Sequence, residues 1–174
     1  MKKLLLAGGG HAHVEVLRRL ALERPAGVEI TLVSAGRHAP YSGMLPGLIA
    51  GHYTFGECHI DLPLLAARAH ARWVDAHVAA LVPAKRLLML SDGAALAYDV
   101  LSINSESIPV AQQVPGVADY AIAVKPVAEF LAGWEQLFAR WREGRVQSIA
   151  VVGGIIALWL TGIPLSVSAA IGFI

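Results

Sequence analysis

Three consecutive glycines, Gly8, Gly9 and Gly10, are the residues whose type and spacing best fit a chemical role. An apolar run typical of a buried parallel strand precedes them (residues 3–7), and apolar residues at helical spacing follow over 13–23. As in dinucleotide-binding turns, Gly8 would allow the tight turn, and the missing Cβ of Gly10 would let the backbone approach a pyrophosphate closely. We therefore predict that the free N–H groups and the positive end of the helix bind a nucleotide phosphate. A plain glycine turn in an α/β domain is the alternative.

Four polar or small residues extend this candidate site. His11 and Ala12 directly follow the glycines, and His11 is placed to touch the phosphates of a bound nucleotide. The second predicted strand ends at Ser34, where an acidic residue usually holds the ribose hydroxyls. A serine can bond one hydroxyl but supplies no bidentate acceptor. Arg37 fits either a phosphate ligand or a solvated loop residue.

A loop rich in proline and glycine follows over residues 37–47 and contains Tyr41 and Ser42. Its composition predicts an ordered loop rather than a helix or strand. Because it comes just after the second strand, it is expected near the carboxyl ends of the strands, where α/β sheets bind ligands. A purely structural connection is the other interpretation.

The composition excludes several classes of function. A net charge of +1 over 174 residues gives no electrostatic attraction to nucleic acid. Cys58 is the only cysteine, which excludes an internal disulfide, and we interpret it as a structural thiol. His11 and His13 stand two residues apart, not at the i, i+4 spacing that places two ligands on one helix face. We expect no metal site, and we expect His13 to pack against the protein.

Short strands are predicted after the loop, over residues 72–74, 77–82, 87–90 and 96–103, as a small antiparallel excursion that returns to the main sheet. Lys125 and Pro126 open a helix that runs to about residue 143. The predicted fold class is α/β, a Rossmann-like parallel sheet with a small antiparallel insertion and a hydrophobic C-terminal helix. Residues 1–148 form the incomplete nucleotide-binding domain, and residues 149–154 begin a second nucleotide-binding strand and glycine loop.

The last segment, residues 155–174, carries no charged side chain and is about as long as one membrane span. We interpret it as a transmembrane-type helix, with a buried helix of a second nucleotide domain as the alternative. The expected location is the cytoplasm, or the cytoplasmic side of the inner membrane through this segment.

The sequence resembles the flavin-dependent pyridine nucleotide-disulphide oxidoreductase family, in the branch that includes type II NADH dehydrogenases and the domain fused to selenide, water dikinase. The motifs that carry the resemblance span roughly residues 1–154 and lie at 8–14, 40–47, 98–102, 114–116 and 124–126. The resemblance implies that the first glycine turn binds FAD and that the loop beginning at 149–154 binds NAD(P)H. It places the 41–47 loop and Lys125 beside the flavin, although Lys125 equally fits a solvated helix start. Hydride would pass from NAD(P)H to the flavin and then to a quinone, which makes a nucleotide, a quinone and a membrane the implied partners.

Two departures from the family pattern lead to further expectations. Glu106 stands where the family tends to have a glycine close to FAD, and the second glycine loop stops at Gly154. We therefore expect a truncated oxidoreductase with impaired or no turnover, and no catalytic residue is assigned. Residues 155–174 resemble a transmembrane segment of heavy-metal efflux transporters of the resistance–nodulation–division class. A fragment of such a transporter and a non-catalytic nucleotide-binding remnant are the alternative functions.

Overall fold

The computed structural model describes residues 1–105 and 115–146, and the chain divides into two compact units after residue 107. In the first unit the strands are β1 (Lys2–Ala7), β2 (Val28–Val33), β3 (His38–Pro40), β4 (His59–Asp61), β5 (Arg72–Val74), β6 (Val78–Val82), β7 (Leu87–Leu90), β8 (Ala95–Ala97) and β9 (Val100–Ile103). Its α-helices are α1 (His11–Leu22), α2 (Leu45–Ile49), α3 (Phe55–Cys58) and α4 (Leu62–Arg68). The second unit contains α5 (Val117–Tyr120) and α6 (Val127–Arg142).

A parallel sheet with the strand order β5-β2-β1-β9 is the centre of the first unit. Strand β1 pairs in parallel with β2 on one side and with β9 on the other, with Leu6 opposite both Leu32 and Ser102. Successive side chains of a strand point to opposite faces of the sheet. The apolar runs of β1 and β2 therefore supply a core on each face, as expected for a sheet that is covered on both sides.

The two faces of this sheet are covered by different structures. On one face, Leu6 and Leu32 pack with Leu17 of α1 and Leu62 of α4. On the other face, Leu5, Ala7 and Val33 pack with Leu88 and Leu90 of β7, which belongs to the antiparallel sheet β6-β7-β8. Each leucine fully buried in this way contributes about 2 kcal/mol relative to its exposed state. The result is a three-layer arrangement of helices, parallel sheet and antiparallel sheet.

The structure confirms the α/β class, the parallel sheet and the small antiparallel sheets, and it corrects some boundaries. Helix α1 starts at His11, two residues earlier than predicted. Arg72–Val74 is not part of the antiparallel excursion, because β5 pairs in parallel with β2. The predicted strand at 96–103 is two strands in different sheets. The chain changes sheets at Asp99, whose amide donates to Lys3 O at 2.9 Å.

The stretch expected to be a loop, residues 37–47, contains short regular elements. Strand β3 pairs antiparallel with β4, a 3₁₀ turn follows at Ser42–Met44, and α2 begins at Leu45. Pro46 lies in the first turn of α2, where its missing N–H and fixed φ are tolerated. Helix α2 then ends at Ile49.

In the second unit, α6 confirms the helix predicted after Lys125 and Pro126, and Gly144 follows it with φ +72°. Within residues 1–105 and 115–146, no helix combines the length and the apolar character that a membrane span requires. The predictions for Glu106, for the second glycine loop at 149–154 and for the hydrophobic segment 155–174 fall outside the described residues.

Candidate functional site

The candidate site lies at the carboxyl edge of the parallel sheet, where β1, β2 and β9 end side by side. Gly8 follows β1, Ser34 follows β2 and Asn104 follows β9. Two backbone hydrogen bonds join these ends: Gly8 N donates to Val33 O at 2.8 Å, and Asn104 N donates to Ala7 O at 2.8 Å. The glycine turn therefore lies between the ends of its two neighbouring strands.

Each of the three glycines packs against protein in the direction where a Cβ would point. Gly8 has φ +104°, and a Cβ there would overlap the Asn104 carbonyl group. A Cβ on Gly9 would lie 2.5 Å from Ser34 Oγ, and one on Gly10 would lie 2.5 Å from Asn104 Nδ2. We expected the missing Cβ of Gly10 to leave room for a phosphate. The structure instead fills that direction with the Asn104 side chain.

The amide groups of the turn are suited to an anion, although the space beside the glycine Cβ positions is filled by protein. Among the residues that the structure describes, four successive amides have no hydrogen-bond acceptor, those of Gly9, Gly10, His11 and Ala12. Helix α1 has no acidic residue in its first turn and no side-chain cap. Unpaired N–H groups at the positive end of a helix favour a negatively charged ligand. This arrangement is suited to bind a phosphate or diphosphate group.

His13 packs against the protein, as predicted, with only 2% of its surface exposed. Its imidazole also joins two elements, because Nδ1 lies 2.7 Å from Gly8 O and Nε2 lies 2.9 Å from Ser102 Oγ. The side chain thus connects α1 both to the glycine turn and to β9. No local pattern in the sequence indicates this second role.

Tyr41, a candidate from the 37–47 stretch, lies close to the start of α1. The Tyr41 ring is 5.4 Å from the His11 ring, centroid to centroid, in an edge-to-face arrangement. Both side chains are exposed, and a Cβ added at Gly43 would lie 3.2 Å from the Tyr41 ring. Ser42 follows as the first residue of the 3₁₀ turn. The fold therefore brings Tyr41 and His11 together from separate parts of the chain.

Arg37 is engaged with a carboxylate of the protein. Its Nε and Nη2 lie 3.0 and 2.8 Å from Asp61 Oδ2, and Asp61 Oδ1 accepts a hydrogen bond from Leu64 N at 2.9 Å, which caps α4. The Leu64 amide and the Arg37 guanidinium both lower the pKa of the Asp61 carboxyl, because they stabilise its charged form. Ser34 is buried, and its amide donates to Val74 O at 3.1 Å.

Of the ten candidate residues, only Lys125 lies in the second unit, where it is half-buried and stands two residues before α6. Sequence reasoning missed Asn104 as a contact of the turn, although a polar residue at the end of a parallel strand is a usable signal. Its Nδ2 is buried without a hydrogen-bond partner in the described part of the chain. Cys58 is free and buried. The described residues contain no cluster of three or more metal-ligating side chains.

Comparison with known proteins gives structural matches only, since no protein-family model and no curated protein matches this chain. The sulfide:quinone oxidoreductase of Aquifex aeolicus aligns at a TM-score of 0.68 with 16% identity, over 82% of this chain and 33% of that one. NDH2 of Plasmodium falciparum in complex with NADH aligns at 0.69 with 16% identity, over 86% and 31%. The water-forming NADH oxidase of Lactobacillus brevis bound to NADH aligns at 0.64 with 20% identity, over 78% and 32%.

At these identities the similarity shows a shared fold. The chain spans about one third of the length of each of these oxidoreductases.

Proposed function

We propose that the first unit binds the diphosphate of a dinucleotide, FAD, as part of an NAD(P)H oxidoreductase. The observation that carries this proposal is the run of four amides without acceptors at the start of the twelve-residue helix α1. They lie at the carboxyl edge of a parallel sheet, the usual ligand position of this fold class. The fold shared with oxidoreductases whose descriptions name NADH or a quinone supports the same reading. The choice of FAD comes from the sequence resemblance.

The residues present fit the diphosphate part of such a ligand best. The amides of Gly9, Gly10, His11 and Ala12 would donate to the phosphate oxygens, and the Ser34 hydroxyl would face a ribose. The exposed His11 and Tyr41 rings would border the rest of the ligand, with Ser42 beside them. When bound, FAD supplies the hydride acceptor for NAD(P)H and the electron donor for a quinone. Arg37 and Lys125 remain proposed contacts.

A variant at Ala12 tests phosphate binding without disturbing the packing of the turn. Ala12 is exposed, whereas any larger residue at Gly10 would first displace Asn104. We expect Ala12→Asp to weaken the binding of ADP and of FAD by about tenfold or more, because a carboxylate would face the phosphates. The matched control is Ala12→Asn, which has the same shape and no charge, and which is expected to bind within about threefold of the parent chain.

Titration calorimetry and thermal melting of the parent chain, Ala12→Asp and Ala12→Asn test whether this helix end binds phosphate. An acidic residue in the first turn stabilises a helix by about 0.3–1 kcal/mol, so Ala12→Asp should melt no lower than the parent chain. Loss of binding would then reflect charge at the site and not unfolding. Equal affinities of the Asp and Asn variants would contradict a phosphate site at this helix end.

The expected impairment of turnover stays a prediction, and it has a separate test. An NADH–ferricyanide assay on FAD-reconstituted protein measures turnover, and the visible spectrum after anaerobic addition of NADH measures reduction. We expect neither a rate that rises with protein concentration nor bleaching of the flavin. A rate that scales with protein and disappears in Ala12→Asp would overturn this prediction while supporting the nucleotide site.

A further inference from the structure

His13 stands at a position where the dinucleotide-binding pattern usually has a glycine or alanine that lets the helix and strand pack closely. Here the imidazole occupies that space, with 2% of its surface exposed. Both ring nitrogens have partners: Nδ1 lies 2.7 Å from Gly8 O and Nε2 lies 2.9 Å from Ser102 Oγ. A residue that replaces the usual small one and makes two hydrogen bonds calls for a specific explanation.

The tautomer of His13 follows from its partners. A carbonyl oxygen can only accept, so Nδ1 must carry the proton and donate to Gly8 O. In the neutral ring Nε2 is then an acceptor, and it receives the Ser102 hydroxyl proton. The Gly8 carbonyl therefore selects the tautomer, and the Ser102 hydroxyl on β9, which can donate or accept, holds the ring in place.

The hydrogen bond to Gly8 O also fixes the direction of the next amide. In a planar trans peptide the carbonyl of one residue and the N–H of the next point in opposite directions. The Gly8 carbonyl points to the buried imidazole, so the Gly9 N–H points away from it. That N–H is the first of the four amides that find no acceptor in the described part of the chain.

The peptide between Gly8 and Gly9 is flanked by glycine on both sides, so sterics alone do not determine its direction. Rotation of this peptide would exchange the two groups and present a carbonyl oxygen where the N–H now stands. A carbonyl oxygen would repel a phosphate, whereas the N–H would bind it.

We infer that His13 is a positioning residue that locks the Gly8–Gly9 peptide with its N–H directed to the ligand side, and that Ser102 steadies the His13 ring. This inference rests on the proposed diphosphate site. It adds that a hydrogen bond from the helix, and not only the glycines, prepares the turn to receive the anion.

Two amide substitutions of His13 separate its two hydrogen bonds. The side-chain nitrogen of asparagine can take the place of Nδ1, and that of glutamine can take the place of Nε2. His13→Asn therefore keeps the bond to Gly8 O, and His13→Gln keeps the bond to Ser102. We expect His13→Asn to bind ADP within about threefold of the parent chain and His13→Gln to bind about tenfold more weakly or worse.

The melting temperatures of the two variants should follow the opposite order to their affinities for ADP. That result would exclude a merely structural role for His13. Asparagine is the smaller residue and leaves the larger cavity at this buried position, so His13→Asn should melt at the lower temperature. A residue that only packs would give affinities in the same order as the melting temperatures. The ¹³C signal of the Gly8 carbonyl adds a direct readout, since it should shift in His13→Gln and stay near the parent value in His13→Asn.

Two results would overturn the lock. If the parent chain binds ADP but both variants bind it equally, or in the order of their stabilities, the lock is wrong and the diphosphate site stands. If the parent chain binds neither ADP nor FAD, the proposed function fails. The lock is then judged by the Gly8 carbonyl signal alone, and an unchanged signal in His13→Gln overturns it.

Discussion

Two turns follow neighbouring strands of the same parallel sheet, and they are built in opposite ways. The first turn, residues 8–10, follows β1 and is surrounded by protein at the Cβ direction of every glycine. The second turn, residues 34–37, follows β2 and also contains a glycine with positive φ, Gly36 at +84°. No heavy atom of the described chain lies within 4 Å of the Cβ position at Gly36.

Polar contacts hold the second turn instead. Gly36 N donates to Asp75 Oδ1 at 2.9 Å, and Arg37 pairs with Asp61. The first turn is therefore held by close packing together with the His13 hydrogen bond, and the second depends on carboxylates. A ligand that must be held in a defined position is served better by the more closely packed turn, which supports the first turn as the phosphate site.

Substitution at Gly8 should produce the largest effect on this comparison. Gly8→Ala would place a side chain at a positive φ, and its new Cβ would overlap the Asn104 backbone. Neither the backbone at residue 8 nor that at Asn104 can shift easily. We expect the free energy of unfolding, measured by urea denaturation, to fall by about 3–5 kcal/mol. A loss below about 1 kcal/mol would show that β9 yields, so that shape does not define the first turn.

A double-mutant cycle between Gly10 and Asn104 gives the next largest effect. Gly10 has φ −67°, which suits alanine, so only the contact with the Asn104 side chain opposes a Cβ. We expect Gly10→Ala to cost about 1–3 kcal/mol in the parent chain and much less when Asn104 is also alanine. If Gly10→Ala lowers the free energy of unfolding equally in the parent chain and in Asn104→Ala, another neighbour causes the crowding.

Gly36→Ala tests the second turn and should have a smaller effect. Space is available there, so only positive φ opposes alanine, and we expect a loss of about 1 kcal/mol in the free energy of unfolding. Gly56→Ala is the matched control, because Gly56 in α3 also has open space but lacks positive φ. That control should be neutral or slightly stabilising. Equal losses at the two positions would show that φ does not determine the cost.

The smallest expected effect is that of low pH, which should destabilise the second turn more than the first. The pKa of Asp61 is lowered in the folded chain, so its carboxylate stabilises the fold above its unfolded pKa of 3.8. That contribution is lost as the pH falls below 3.8 and through the folded pKa. Melting temperatures between about pH 6 and pH 2.5 should fall more steeply for the parent chain than for Asp61→Asn.

Amide exchange can locate this acid effect within the molecule. Acid should weaken protection of the Leu64 amide, which donates to Asp61, before that of the Gly8 amide, which donates to the Val33 carbonyl. Parallel slopes of melting temperature for the parent chain and Asp61→Asn, with equal loss of protection at Gly8 and Leu64, would remove the proposed contrast between shape and charge.

Much of the first unit could be predicted from local pattern. The strands β1 and β2, the helix between them and the glycine turn were recognisable, because apolar runs, helical spacing and glycine are signals within a few neighbouring residues. The prediction failed for Arg72–Val74, which was assigned to the antiparallel excursion. Three residues carry too little pattern to show which strand they pair with, and α4 returns them to the edge of β2.

Local sequence pattern is enough to predict the α/β class, the position of the glycine turn and the residues that follow the first two strands. What surrounds that turn depends on the three-dimensional fold. His13 and Ser102 are separated by 89 positions, and Asn104 reaches Gly10 only because β9 pairs beside β1. Such contacts depend on which strand ends become neighbours in the sheet. The backbone amides that face the proposed ligand are coded locally, whereas the groups that hold them in place come from distant parts of the chain.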